Sequence, residues 1–436
     1  MAEYNLTVGN DLTFEQLCNN NRLKWAFKVV KRNKGAAGVD QETIEEFERN
    51  LEKNLEKLSS ELAAWSYKPM PVRCVEIPKP NGGIRQLGIP CVRDRVVQTA
   101  LKELIEPIFE PMFSSNSYGF RPRRNQRQAV EAAQKIVASG KEFVVDIDLA
   151  KFFDTINHDK LIGLMGKCIQ DKRLIRIVGI TLRSGIMKNG LFQATQEGSI
   201  QGSPLSPLLS NIVLDELDKE LESRGLEFCR WADDCNIFVK TQKAADRVME
   251  SVSKFIKNKL KLEVNKEKSK VALSRYVKFL GMTIIAGTIA ISTMSMNKAM
   301  AKVKELTPRG TSMSLERTIV KVNKWYVGWA NYYAMTQYPL QLANIEAHIR
   351  RRLRSRLVDQ QKSKRNLFNK LVSRGVPRRQ VGRTVYSHMG RWAISHTRAV
   401  ERAFPNVWFT ESMGQKIKSN EQRKHWFPIK TMVRLT

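Results

Sequence analysis

The sequence predicts an α+β protein: an antiparallel sheet with helices on one face, followed by a helical, cationic last third. Three observations carry this. Strand-like stretches, "EFVVDIDLA" and "FCRWADDCNIFVK", lie among longer stretches with helical spacing. Strand patterning stops beyond about Met296. The chain has 436 residues, more than one compact core accommodates, so two or three domains are expected.

Taken in order, Leu17, Leu23, Phe27 and Val30 recur near helical spacing, and "RNKGAAGVD" punctuates that helix. A second helix is expected over about 42–62. Val72, Cys74 and Glu76 precede a Pro-Asn-Gly-Gly turn and a second short strand, a hairpin that feeds a helix running to about Ile108. "EFVVDIDLA" follows as a strand, "NHDKLIGLMGKCI" as a helix, and "LDELDKELESRG" as another with Gly225 just past its end. The flanks of "FCRWADDCNIFVK" alternate as paired strands do. A helix fits 243–260, and "YVKFLGMTI" with "TIAIST" reads as a hairpin joined at a glycine. "SLERTIVKVNKWYVGWANYYA" and "QLANIEAHIRRRLRSRLVDQQ" then read as long helices.

Charge narrows the partners. Lys plus Arg number 74 against 43 Asp plus Glu, a formal charge of +31, which calls for a polyanion. No run of about 18 apolar residues is present to span a bilayer, and the first residues show no secretory signal, so nucleic acid is expected rather than membrane. Six cysteines without C-x-x-C spacing argue against zinc and disulfide frameworks and for a reducing cytoplasm. A single Lys/Arg run is as often a solvated helix face. Here the pattern recurs, at Arg350, Arg351, Arg352, Arg354 and Arg356, at Arg378 and Arg379, and at "KSKRN" and "EQRKHW", with Trp392, Trp408 and Trp426 nearby. Cations neutralise phosphates while rings stack on unpaired bases, so these arginines are expected to bind nucleic acid.

Asp233 and Asp234 stand side by side between apolar runs. Alone, such a pair is most often a turn or a helix cap. Between two paired strands, however, the carboxylates are held at a tight turn, and a divalent metal is the natural compensating charge. Mg²⁺ would need a carboxylate from a second strand. Asp146 and Asp148 share one face of "VVDIDLA", and the period of two does not choose between them. Two such ions, about 3.5–4 Å apart, would activate a 3′-hydroxyl and stabilise a leaving pyrophosphate.

These residues carry a resemblance. "WADD" resembles the Tyr-x-Asp-Asp signature of reverse transcriptases, "DIDLAKFFDTINHDKL" their first metal-binding motif, and "QGSPLSPLLSNIVLDELD" the block between them. "KRNKGAAGVD", "IPKPNGGIRQLGIPCVRDRVVQ" and "SYGFRPRRNQRQAV" resemble the amino-terminal and fingers blocks of one branch, the group II intron reverse transcriptases or maturases. "WYVGWANYY" is similar to that branch's thumb and "MGRWAISHTRAVERAFPNVWF" to its DNA-binding region. The resemblance implies a right-hand polymerase: fingers and palm with an amino-terminal extension over 1–290, a helical thumb over 291–362, and a small basic helical region over 363–436. It selects Asp148, with Asp233 and Asp234, as catalytic residues and ligands of two Mg²⁺ ions, with Mn²⁺ able to substitute. Phe152 would sit under the incoming sugar and select dNTPs. Lys79 and Arg85 would reach the triphosphate, Gln201 and Gly202 the nucleotide or template, and Lys268 would protonate pyrophosphate. Trp231 departs from the signature tyrosine. No His-Asn-His nuclease motif follows, as in the compact type. The implied partners are intron RNA, an RNA template with a DNA primer, target DNA and dNTPs. The implied work is splicing assistance and copying of the intron into cDNA. Two alternatives are a splicing cofactor that only binds RNA and a domesticated enzyme of repair or phage defence.

Overall fold

A computed structural model describes residues 12–78, 82–188, 190–195, 197–199 and 201–409. The chain divides into two compact units between Val277 and Lys278. The strands are β1 (Val72–Pro78), β2 (Ile84–Ile89), β3 (Phe143–Asp148), β4 (Ile186–Lys188), β5 (Leu191–Gln193), β6 (Glu227–Trp231), β7 (Asp234–Val239), β8 (Lys270–Leu273), β9 (Met282–Ile285) and β10 (Thr288–Ile291).

In the first unit, the side chain of Asn19 caps the helix Asn20–Asn33 by accepting from the Asn21 and Arg22 amides, and Leu23, Ala26, Phe27 and Val30 turn inward. The helix expected over 42–62 is two. Asn50 leaves helical dihedrals (φ −117°, ψ 35°) and separates Ile44–Arg49, closed by a Thr43/Glu46 capping box, from Leu51–Ala63. β1 and β2 form the expected antiparallel hairpin. A feature the sequence did not signal is added to it: β4 runs parallel to β1, and β5 pairs with β4. Both added strands have only three residues, too short for alternation to register.

The sheet that positions the site has the order β6-β7-β3-β8 and is antiparallel throughout. Val145 and Ile147 of β3 are buried in one core with Leu209, Val213, Ala245 and Val252 of the helices Ser206–Ser223 and Gln242–Phe255. Strand alternation therefore turns Asp146 and Asp148 to the opposite face. The unit also buries the carboxylate of Asp94, 1% exposed, which accepts from the Tyr67 hydroxyl at 2.8 Å and the Met70 amide at 3.0 Å. Burial pushes this carboxyl up to about 6. Its folded pKa lies above the unfolded value of about 3.9, so folding favours the protonated form. That contribution is complete below about pH 4 and is lost as pH rises through about 6. Asp94→Asn should therefore flatten the pH dependence of stability across this window, removing a change of up to about 3 kcal/mol, as read by urea unfolding at pH 4 to 7.

The second unit contains β9–β10 and the helices Thr293–Leu306, Leu315–Tyr333, Pro339–Gln360, Lys364–Ser373 and Arg378–Val385 around Ile319, Val322, Ile345, Ile349, Leu371 and Val381. The expected division at 290 differs from the observed one for a local reason. The Ile289 and Ile291 amides donate to the side chains of Gln337 and Gln341, each at 2.8 Å, which ties the hairpin to the helical unit. Among the described residues, no helix is long and apolar enough to cross a membrane.

Candidate active site

Trp231 pairs with Asp234, leaving Ala232 and Asp233 as a two-residue loop between β6 and β7. Such loops demand a positive φ at their first position, usually met by glycine. Ala232 meets it at φ 56°, a conformation that costs an L-residue roughly 1–2 kcal/mol. Across the sheet, Asp148 lies directly opposite Asp234, so the two share a face at the ends of their strands. Asp146 lies two pairs further in, opposite Asn236 and Lys270.

The segment after the second helix of this sheet ties down the end of β3. The Asn265 amide donates to the Asp148 carbonyl at 2.8 Å, and the Asp148 amide donates to the Ser269 hydroxyl at 3.0 Å. Lys268, between them, places its ammonium 3.2 Å and 3.4 Å from the two carboxylate oxygens of Asp148. The half-buried Asp233 completes the cluster. Burial raises its pKa above the ordinary carboxylate value and the charge of Asp148 raises it further, while Lys268 and Arg85 oppose the shift. Among the described residues, no group of three His, Cys, Asp or Glu is placed to hold a metal ion as it stands. The donor set of Asp148, Asp233 and Asp234 is nevertheless all carboxylate oxygen, which fits a hard divalent cation.

Arg85 and Gln201 are in contact, the guanidinium Nε donating to Gln201 Oε1 at 2.9 Å. Gly202 has a different reason to be glycine from the one expected. Its φ is +114°, and a Cβ there would lie 2.3 Å from the Gly88 carbonyl oxygen, while the Gly88 amide donates to the Gln201 carbonyl at 2.7 Å. The close approach is made by β2. Gly202→Ala should consequently cost about 1–3 kcal/mol, seen as a lowered melting temperature. Phe152, 2% exposed, packs in the core, edge-on to Phe153 with ring centroids 5.3 Å apart. Lys79 lies outside the described residues.

The basic run of the second unit is divided in its roles. Arg356, 1% exposed, donates to the Thr318 hydroxyl and the Met313 carbonyl; Arg354 donates to the Phe404 carbonyl at 2.9 Å and to Asn406 at 2.8 Å, with its guanidinium over the Phe409 ring. These two arginines are interior scaffolding, because a helix packed on several sides has no fully solvated face. Arg350 pairs with Glu346 at 3.4 Å, and Arg352 donates to the Thr307 carbonyl at 2.6 Å. Arg351, Arg378 and Arg379 are exposed.

Comparison with known proteins agrees with this geometry. Residues 77–284 match the family described as reverse transcriptase (RNA-dependent DNA polymerase), and residues 296–375 match the group II intron maturase-specific domain. The chain is 34% identical to protein YkfC of Escherichia coli over 286 residues, covering 56% of this chain and 75% of that one. It is 30% identical over 357 residues to the group II intron-encoded protein LtrA of Lactococcus lactis, covering 66% of this chain and 58% of LtrA. Among solved structures, apo telomerase from Candida tropicalis overlays with a TM-score of 0.42 at 13% identity, covering 55% of this chain and 60% of that one, too loose a likeness to argue from. With a polymerase domain carrying the aspartate loop and a maturase domain behind it, the chain belongs to the family of group II intron reverse transcriptases and maturases.

Proposed function

We propose that this chain binds intron RNA, assists its splicing, and copies RNA into DNA by extending a primer 3′-hydroxyl with dNTPs. One observation carries the reading: Asp148 and Asp234 face each other in register, Asp233 stands in the loop beside them, and Lys268 reaches Asp148 at 3.2 Å. Asp148, Asp233 and Asp234 would hold Mg²⁺, two ions in the two-metal form. When bound, these ions supply Lewis-acid stabilisation of the reacting phosphate and a more acidic 3′-hydroxyl.

The chain's own residues do the rest. Arg85, already oriented by Gln201, carries the planar fork that suits a triphosphate. Lys268 neutralises Asp148 in the structure; its exposed ammonium is then available to give a proton to the departing pyrophosphate oxygen. Lys268→Ala should slow extension by roughly 10²-fold while leaving template affinity unchanged, as read by single-nucleotide incorporation beside a binding titration. A net charge of +31 supports phosphate-dominated binding of RNA and target DNA that weakens steeply with salt. The reading is tested by titrating Mg²⁺, Mn²⁺ and Ca²⁺ into primer extension on RNA. Extension with the first two and none with the third supports it, and extension in chelator with no divalent ion overturns it.

A further inference from the structure

The aspartate loop rests on a buried polar cluster that the reaction itself does not use. Arg230, the residue before Trp231, and Asp218, on the helix Ser206–Ser223, are both 0% exposed. Arg230 Nε donates to Asp218 Oδ1 at 2.7 Å and Nη2 to Oδ2 at 2.5 Å, a bidentate fork. The remaining arm, Nη1, donates to Asn211 Oδ1 at 3.1 Å and to the carbonyl of Ala232 at 2.9 Å. Asn211 in turn donates from Nδ2 to the Gly119 carbonyl at 2.9 Å.

A second contact reaches the same loop from outside the sheet. The segment around Gly119 runs beside β6: the Arg230 amide donates to the Asn116 carbonyl and the Tyr118 amide to the Arg230 carbonyl, each at 2.9 Å. At Gly119 the two backbones touch. A Cβ there would lie 2.3 Å from the Ala232 amide nitrogen and 3.0 Å from the Trp231 carbonyl carbon. Ala232, the residue with the left-handed φ, is therefore held at its carbonyl by Arg230 and has the Gly119 backbone packed against its amide, and Asp233 is the next residue.

A buried ion pair is by itself weak support for stability, because apolar residues of the same volume often serve the fold as well or better. What apolar residues cannot supply is direction. A guanidinium locked on both oxygens of Asp218 presents its third nitrogen at one height and one angle. We propose that Arg230, fixed by Asp218 and Asn211, is a positioning residue that, with the Gly119 contact, sets where the Asp233 carboxylate stands relative to Asp148. The proposal rests on the catalytic reading of Asp148 and Asp233, and its effect is on metal binding and turnover rather than on holding template.

The test compares wild type, the paired apolar variant Arg230→Met/Asp218→Leu, and Gly119→Ala, which leaves the ion pair in place. Each is measured for thermal unfolding, for Mn²⁺ binding by electron paramagnetic resonance, and for steady-state dNTP incorporation on an RNA template. The expected result for both variants is a folded protein with wild-type template affinity, a KM for dNTP within about twofold, a kcat at least tenfold lower, and Mn²⁺ binding at least fivefold weaker. A folded paired variant with wild-type kcat and Mn²⁺ affinity would overturn the proposal and leave the cluster a purely structural one. If the paired variant does not fold, Gly119→Ala decides alone: wild-type kinetics and Mn²⁺ binding there overturn it equally. Should the wild type extend no primer, the catalytic reading fails separately, and the Mn²⁺ comparison still decides whether the cluster positions the carboxylates.

Discussion

Arg230→Ala alone is expected to destabilise the first unit by about 3–5 kcal/mol and lower its melting temperature by on the order of ten degrees. Truncation leaves the Asp218 carboxylate fully buried with its fork of donors gone. Burial already raises the Asp218 pKa, with Arg230 the opposing influence. Without that guanidinium the side chain must take up a proton or draw in water, and the carbonyl of Ala232 and the Asn211 amide oxygen each lose a donor. The paired apolar variant removes both charges and should recover most of this loss, so the two melting curves together separate the cost of a stranded charge from the worth of the pair. A melting temperature for Arg230→Ala within a degree or two of wild type would show that the cluster is hydrated or loosely packed.

Asp148→Ala and Asp233→Ala are each expected to reduce dNTP incorporation by roughly 10³-fold or more, several kcal/mol of transition-state stabilisation. Neither loss of activity should come with a loss of stability. Asp233 is held half-buried beside the like charge of Asp148, with a pKa raised mainly by that burial, so its removal relieves unfavourable electrostatics. Asp233→Ala should melt at or above the wild-type temperature while being inactive. Asp148→Ala releases Lys268, which is largely exposed, and should change stability little. Activity lost together with a large fall in melting temperature would make either aspartate a structural residue instead.

The architecture was legible wherever a strand or helix was long enough to show its period. β3, β6 and β7 and the tight Asp-Asp hairpin stood out because apolar alternation ran up to the carboxylates and stopped. β4 and β5 did not, being three residues each, with β4 paired to β1 through a parallel contact far away in sequence and β5 paired only to β4. Among site residues, Asp148 needed the family pattern to separate it from Asp146; the structure shows why both fit, since they share a face and lie two residues apart on one strand. Gly202 and Phe152 have packing roles that their motifs did not signal: a Cβ at 202 would meet the Gly88 carbonyl, and Phe152 is buried in the core. Arg354 and Arg356 misled because a dense basic run hides which of its members point inward. Arg230 and Asp218 were missed altogether: Arg230 is a lone charge in the apolar stretch "FCRW", but Asp218 shares "IVLDELD" with Asp215 and Glu216, so no spacing marks which carboxylate turns inward to meet it.

The central claim is that Asp148, Asp233 and Asp234 catalyse RNA-templated DNA synthesis. Its most direct measurement is extension of a DNA primer annealed to an RNA template, with dNTPs and Mg²⁺, by the wild type and by Asp233→Ala verified as folded. The account predicts template-length DNA from the wild type, none from the variant, and none from either with rNTPs alone. Equal extension by both proteins, or none by a folded wild type that binds the template, would contradict it.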